Sequence, residues 1–181
     1  MVKKIVGTGV LLVLALALQA GVKMYTLKSP DGKVKLEVTA GQGIAYSLFY
    51  DGRLLLKPSR IALHTDLPES DHWENIRIAG TKQRHVSETV QAPFYRVKEF
   101  GIDCNELELR LNNGFSLLMR AYNDGMAYRF VAGRKGEMTV VEERAEFNFA
   151  DDFEAYIPYS TNPKDPWNMA FQNFYTKAPL T

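Results

Sequence analysis

Hydrophobic and polar residues alternate with a period of two along several segments of the chain. The clearest segments are 34–39 and 106–111, and residues 44–50, 115–122 and 126–131 follow a similar pattern. Such alternation is typical of β-strands that bury one face and leave the other face in water. The pattern therefore predicts an all-β chain of antiparallel strands.

Turn residues separate these segments at intervals of about 8 to 12 residues, a spacing typical of β-sandwiches and barrels. Asp51-Gly52 is the strongest hairpin signal, and residues 29–33 and 112–114 also favour turns. Asn123, Asp124 and Gly125 form a further turn motif between two predicted strands. We predict that this motif is structural and that Gly125 holds a positive φ.

Two stretches lack this rhythm and are predicted to be loops. Residues 65–75 are polar and contain Trp73, and residues 158–166 are rich in Pro, Asn and Asp. Beyond the second loop, Asp165-Pro166 could cap a short helix with Trp167 and Phe171 on one face. An extended segment remains the alternative at this point.

The first twenty residues have the layout of a secretory signal peptide. Lys3 and Lys4 precede an apolar run at 10–18, and the small residues Ala20-Gly21 follow. This run is shorter than the roughly 20 residues of a transmembrane helix, although an uncleaved anchor is the alternative. We expect a signal peptide over 1–20, a β-domain over 21–181, export to the periplasm or the exterior of a bacterial cell, and no membrane attachment after cleavage.

The length and composition of the chain exclude several classes of function and architecture. The chain has 181 residues and a formal charge of +1, which provides no basic field for nucleic acid. A complete (β/α)₈ barrel needs roughly 200 residues or more, so no such barrel fits. Cys104 is the one cysteine, which excludes an intrachain disulfide and a four-thiolate metal site.

Candidate catalytic residues are few. Two acidic clusters stand out, namely Glu142, Glu143 and Glu146, and Asp151, Asp152 and Glu154. Paired carboxylates can hydrolyse glycosides or bind calcium, but consecutive acids on a strand face opposite sides. His64, His72 and His85 lack ligand spacing, although His64 and Asp66 could share a face. A phosphate-binding loop, a dinucleotide fingerprint and a G-x-S-x-G elbow are all missing from the sequence.

Aromatic residues in polar, loop-like surroundings are more informative. They are Trp73, Tyr156, Tyr159, Trp167 and Tyr175. Exposed rings stack on the apolar C–H faces of sugars, so this set suits carbohydrate. The alternative is that most of these side chains anchor long loops or pack against a neighbouring domain.

The segment 120–130, which reads RAYNDGMAYRF, resembles the signature strand–turn–strand of the N-terminal domain of glycoside hydrolase family 97. The resemblance covers nearly all of the chain after the predicted signal peptide. It extends to 29–33, 46–52, the region of Ser59, 105–107, Glu143 and Glu146-Phe147.

The resemblance implies a β-super-sandwich that precedes a (β/α)₈ catalytic barrel in exported bacterial α-glucosidases and α-galactosidases, many of them calcium-dependent. The family's catalytic carboxylates lie in the barrel, so no catalytic residue and no cofactor is carried over to this chain alone. Gln172 stands where members carry a glutamate that reaches the calcium region, and an amide keeps only a neutral oxygen ligand. The resemblance also implies that the sandwich is truncated at residue 181.

The leading hypothesis is therefore a non-catalytic N-terminal β-sandwich that packs on, and partly walls, the active site of an absent barrel. Its expected partners are that barrel and an α-linked oligosaccharide or polysaccharide. Two alternatives remain: a stand-alone secreted carbohydrate-binding module, and a small hydrolase built on the acidic clusters. The sequence does not distinguish glucose from galactose.

Overall fold

A computed structural model describes residues 22–68, 71–160, 164 and 173–180. The predicted signal peptide, Trp167, Gln172 and most of the predicted short helix lie outside these residues. The described strands are β1 (Lys23–Lys28), β2 (Val34–Gly41), β3 (Gly43–Tyr50), β4 (Arg53–Thr65), β5 (Ile78–Gln91), β6 (Glu99–Leu111), β7 (Phe115–Tyr122), β8 (Gly125–Ala132), β9 (Val140–Ala145), β10 (Glu154–Ile157) and β11 (Thr176–Pro179). The described ranges contain no helix that could cross a membrane.

The strands form two main antiparallel sheets and one small ribbon. The first sheet has the order β1-β2-β3-β4-β9, the second has the order β5-β6-β7-β8, and β10 pairs with β11. The chain leaves the first sheet after β4 and returns to it at β9, where Ile61 pairs with Ala145. The predicted all-β, antiparallel sandwich is therefore confirmed.

The hydrophobic core lies between the two main sheets. Its fully buried side chains come from alternate positions of the central strands, as the sequence pattern predicts. They include Leu36, Val38, Ile44, Tyr46, Ile61, Leu107, Leu109, Leu117 and Met119. Burial of these side chains is the main favourable contribution to folding.

Side-chain hydrogen bonds connect the two sheets along both open sides of the sandwich. On one side, Gln83 Nε2 donates to Thr26 O at 3.0 Å and Asn105 Nδ2 donates to Lys28 O at 2.8 Å. On the other side, Tyr128 Oη donates to Glu143 Oε1 at 3.3 Å. Burial, together with the charge of Glu143, raises the pKa of Tyr128 to about 12. The phenol therefore stays protonated and keeps its role as donor.

Turns are present at residues 51–52 and 123–124, as predicted, but the two turns differ in the backbone conformation of their glycines. Asp51 and Gly52 both have positive φ, 48° and 80°, as a type I′ turn requires. The predicted positive φ at Gly125 is wrong, because Gly125 begins β8 and pairs with Tyr122 as extended backbone. The motif instead contributes through Asn123, whose Oδ1 accepts a hydrogen bond from Asp31 N at 3.1 Å.

These two glycines allow a matched test of backbone strain. No heavy atom outside the neighbouring residues lies within 4 Å of a Cβ built on either glycine. The two positions therefore have equal room for a methyl group and differ in φ. We expect Gly52→Ala to lower the free energy of unfolding by about 1 kcal/mol. Gly125→Ala should leave it unchanged or slightly higher, and thermal denaturation compares the two. Equal losses at both positions would contradict this account.

Candidate functional site

Trp73, the first predicted sugar-stacking residue, is a core residue. It is 6% exposed, and its ring lies edge-on to Phe130 at 5.2 Å and near Phe115 at 6.0 Å. Its Nε1 donates to Leu63 O at 3.1 Å, so its polar end is also satisfied. The assignment of Trp73 to a ligand surface is therefore wrong, because both the ring and the N–H are used inside the sandwich. Trp73 anchors the loop between β4 and β5.

The other described aromatic candidates lie together at the β10–β11 ribbon, and they are exposed. Tyr156 is 64% exposed and is the cross-strand partner of Lys177. Tyr159 and Tyr175 flank the two strands, and Asn173 Nδ2 donates to Tyr159 O at 2.6 Å. Lys177 Nζ lies 2.6 Å from Glu154 Oε1 on the same ribbon. The ribbon thus presents tyrosine rings beside a charged pair.

An open cleft of about 720 Å³ adjoins this ribbon. Its lining includes Phe147, Phe149, Asp151, Asp152 and Leu180. Asp152 Oδ1 accepts a hydrogen bond from Leu180 N at 2.9 Å, and Asp152 also lines a second cleft beneath β10 and β11. A surface with half-exposed rings next to carboxylates can stack on an apolar face and accept hydrogen bonds from hydroxyls.

Sequence reasoning missed the two phenylalanines of this cleft. Their alternation predicts a strand with one buried face, but both side chains are exposed. The segment continues along β4 beyond β9, where Lys57 N donates to Asn148 O at 2.7 Å and Ala150 N donates to Leu55 O at 2.9 Å. The segment is therefore strand-like, but both rings lie outside the main core.

Two members of the first acidic cluster have structural roles. Glu143 accepts the hydrogen bond from Tyr128, and Glu146 accepts from Arg60 N at 3.0 Å and from the Arg144 guanidinium. The Arg60 backbone N–H, followed by Arg144, lowers the pKa of Glu146 below its usual range. The side chains of Glu143 and Glu146 are thus held in structural hydrogen bonds. The lowered pKa of Glu146 is the opposite of the raised pKa that the general acid of glycoside hydrolysis requires.

The histidines lie in separate environments. His64 Nδ1 lies 2.7 Å from Asp71 Oδ1. His85, on the other sheet, lies 3.0 Å from both Asn105 Oδ1 and Asp103 Oδ1. Among the described residues, no three His, Cys, Asp or Glu side chains are grouped to hold a metal ion. Gln172, the calcium candidate from the resemblance, is not among those residues.

One buried charge network lies on the outer face of the second sheet. The Glu106 side chain is 5% exposed, and its two oxygens accept hydrogen bonds from Arg84 Nε at 2.7 Å and from Arg120 Nε at 2.8 Å. Burial alone would raise the pKa of Glu106, but the two arginines outweigh it and hold the pKa below its usual range. Glu106 is therefore an anion that ties β5, β6 and β7 together.

Two curated proteins are similar in sequence to this chain. The retaining alpha-galactosidase of Bacteroides thetaiotaomicron is 38% identical over 172 residues, which is 92% of this chain and 26% of that protein. The probable retaining alpha-galactosidase of Streptomyces bingchenggensis is 26% identical over 132 residues, which is 71% of this chain and 20% of that protein. The chain thus spans about a quarter of the length of these relatives.

Solved structures share the fold. A beta-arabinopyranosidase superposes with a TM-score of 0.68 at 21% identity, over 84% of this chain and 26% of that one. A family 97 glycoside hydrolase from Pseudoalteromonas sp. strain K8, solved in complex with acarbose, gives a TM-score of 0.61 at 17% identity, over 75% of this chain and 22% of that one. These likenesses show the fold, a β-sandwich domain that matches about a quarter of each longer chain.

Residues 27–181 match the family described as Glycosyl-hydrolase 97 N-terminal. This match covers most of the chain and agrees with the similarity to two alpha-galactosidases in sequence. The chain belongs to the N-terminal domain family of glycoside hydrolase 97, and the resemblance carried by residues 120–130 is confirmed.

Proposed function

We propose that this chain is the non-catalytic N-terminal β-sandwich of an exported α-glycoside hydrolase. In this role it packs on the catalytic barrel and forms part of the wall of the active site. The observation that carries the proposal is the family match over residues 27–181, in a chain about one quarter as long as its alpha-galactosidase relatives. The structural hydrogen bonds of Glu143 and Glu146 support the non-catalytic role.

The proposed wall is the surface formed by the β10–β11 ribbon and the adjoining cleft. It combines Tyr156, Tyr175, Phe147 and Phe149 with the carboxylates of Asp151 and Asp152. A hexose presents an apolar face to such rings and hydroxyl groups to such carboxylates. An α-linked oligosaccharide that binds to the barrel would then contact this surface at its edge. Export, with cleavage near Ala20, completes the proposal.

A hybrid enzyme tests this role. Residues 21–181 replace the matching N-terminal quarter of the Bacteroides thetaiotaomicron enzyme, and α-galactosidase turnover is compared with that of the enzyme lacking the quarter. We expect the hybrid to retain turnover and the deletion to lose about a hundredfold, because a misplaced wall disturbs substrate orientation. The chain alone should show no turnover of chromogenic α-glucosides or α-galactosides.

The exposed tyrosines favour one alternative, a stand-alone carbohydrate-binding module. Affinity electrophoresis of the chain alone, in gels containing starch or galactan, distinguishes the two functions. Retardation that Tyr156→Ala abolishes, together with an inactive hybrid, would replace the proposed role with the binding module. An active hybrid without retardation agrees with the proposed role.

A further inference from the structure

Strands β5 and β6 extend well beyond the sandwich. β7 pairs with β6 from Asn105 to Arg110, whereas β5 remains paired with β6 as far as Gln91 and Glu99. Residues 86–104 therefore form a two-stranded ribbon, and within the described part of the chain neither of its outer edges is paired from residue 87 to residue 103. Two strands alone are marginally stable in water. A ribbon of this length needs a further surface to pack against.

The two faces of this ribbon differ in polarity. One face carries the cross-strand pairs Val86 with Cys104, Glu88 with Ile102, and Val90 with Phe100. The other face carries Ser87 with Asp103, Thr89 with Gly101, and Gln91 with Glu99. The ribbon is thus amphipathic, as a strand pair is when one face is covered.

The tip of the ribbon carries three further exposed apolar side chains. Phe94 is 99% exposed, Tyr95 is 72% exposed and Val97 is 55% exposed. The tip is nevertheless well defined, because Ala92 N donates to Lys98 O at 2.6 Å and the Tyr95 ring lies edge-on to Phe100 at 6.0 Å. We call Val90, Phe94, Tyr95, Val97 and Phe100 the ribbon face. Contiguous exposed apolar groups of this kind mark interaction sites.

We propose that the ribbon face docks on the remainder of the family 97 enzyme, as a second contact separate from the cleft at the β10–β11 ribbon. The inference rests on the proposed function, in which the chain packs on a larger catalytic part. Relatives carry about three quarters of their length outside the region that this chain matches. Phenylalanine and tyrosine are enriched at the centres of protein interfaces, as is arginine, which Arg96 supplies at the tip.

Charge on the ribbon favours a protein surface over a lipid surface. Glu88 lies within the apolar strip, opposite Ile102. A carboxylate in this position opposes burial in an anionic membrane. In a protein interface, by contrast, a basic side chain of the partner can pair with Glu88. The apolar strip also runs along the side of the ribbon rather than at its tip alone, which suits a broad protein surface.

The hybrid enzyme described above, together with the isolated chain, tests this docking. The test variant is Phe94→Ser with Val97→Ser, and the control is Thr89→Ala with Gln91→Ala on the polar face. All four side chains are exposed, so each variant should fold. Amide hydrogen exchange over residues 86–104 and α-galactosidase turnover are measured for both hybrids and for the isolated chain.

We expect slower exchange over 86–104 in the hybrid than in the isolated chain. The test variant should lose this protection and about tenfold or more in turnover, whereas the control keeps both. An active hybrid with unprotected ribbon amides would overturn the docking and leave the proposed function intact. A hybrid in which the chain does not pack against the rest of the enzyme would overturn both the docking and the proposed function. Protection of the isolated chain that rises with its concentration, or with added anionic vesicles, would assign the ribbon face to a second copy or to a membrane instead.

Discussion

Trp73→Ala is expected to lower the free energy of unfolding by about 3–5 kcal/mol, the range for removing a large aromatic side chain from a core. Trp73 is 6% exposed, contacts Phe130 and Phe115, and donates to Leu63 O. Its loss leaves a cavity between the sheets and frees the loop that it anchors. For a chain of this size the melting temperature should fall by about 10 °C. Thermal unfolding followed by circular dichroism measures the change.

Tyr156→Ala is the matched control for Trp73→Ala. Its ring is 64% exposed, and surface substitutions of this kind change stability by about 0.5 kcal/mol or less. Trp73 and Tyr156 were predicted to share one role from the sequence. A large loss of stability for Trp73→Ala and almost none for Tyr156→Ala would separate their roles. An unchanged melting curve for Trp73→Ala, accompanied by weaker retention on galactan, would return Trp73 to a ligand surface.

Glu106→Gln is expected to cost about 2–4 kcal/mol. Removing one member of a buried ion pair typically costs about 3–5 kcal/mol, and the value is smaller here because the Arg84 side chain is 53% exposed. The substitution keeps the shape of the side chain but leaves the Arg120 guanidinium, 24% exposed, without its anion. Glu108→Gln is the control, because Glu108 lies on the same strand face with one long contact of 3.5 Å to Ser116.

The same carboxyl predicts a pH dependence. The folded-state pKa of Glu106 lies below its value in the unfolded chain, which is about 4.3. The contribution of Glu106 to stability is therefore fully present above about pH 4.3 and is lost as the pH falls through the folded-state pKa. Urea unfolding of wild type and Glu106→Gln at pH 7 and pH 3 should show a difference that narrows at the lower pH. A constant difference would contradict the ionic account.

The alternation of apolar and polar residues predicted the central strands, because each of these strands buries only the side chains on one of its two faces. Strands β2, β3, β7 and β8 follow this rule, and so does the second half of β6. Strand β5 carries few apolar residues, and its pairing with β6 rather than its own pattern gives it an extended conformation. No period in the sequence of β5 reports a partner strand, so this element and the ribbon it forms could not be predicted.

The candidate site was partly accessible from the sequence. Tyr156, Tyr159 and Tyr175 lie in polar surroundings and are exposed as predicted. Trp73 lies in equally polar surroundings, but its loop folds inward and its ring enters the gap between Phe115 and Phe130. Local composition describes the neighbours along the chain, whereas burial depends on residues from distant strands. For the same reason the exposure of Phe147 and Phe149 could not be predicted.

The pairing of β4 with β9 has a consequence for how the molecule reaches its native state. His64 on β4 pairs with Glu142 on β9, and all four strands of the second sheet lie between these two residues in the chain. Closing so long a loop is entropically costly, so this contact forms late and slows folding. Until β9 arrives, the backbone N–H and C=O groups along the edge of β4 are open to strands of other molecules. The vulnerable interval begins when the second sheet is complete and ends when β9 joins the first sheet. The yield of refolding should therefore fall as the protein concentration during this interval rises.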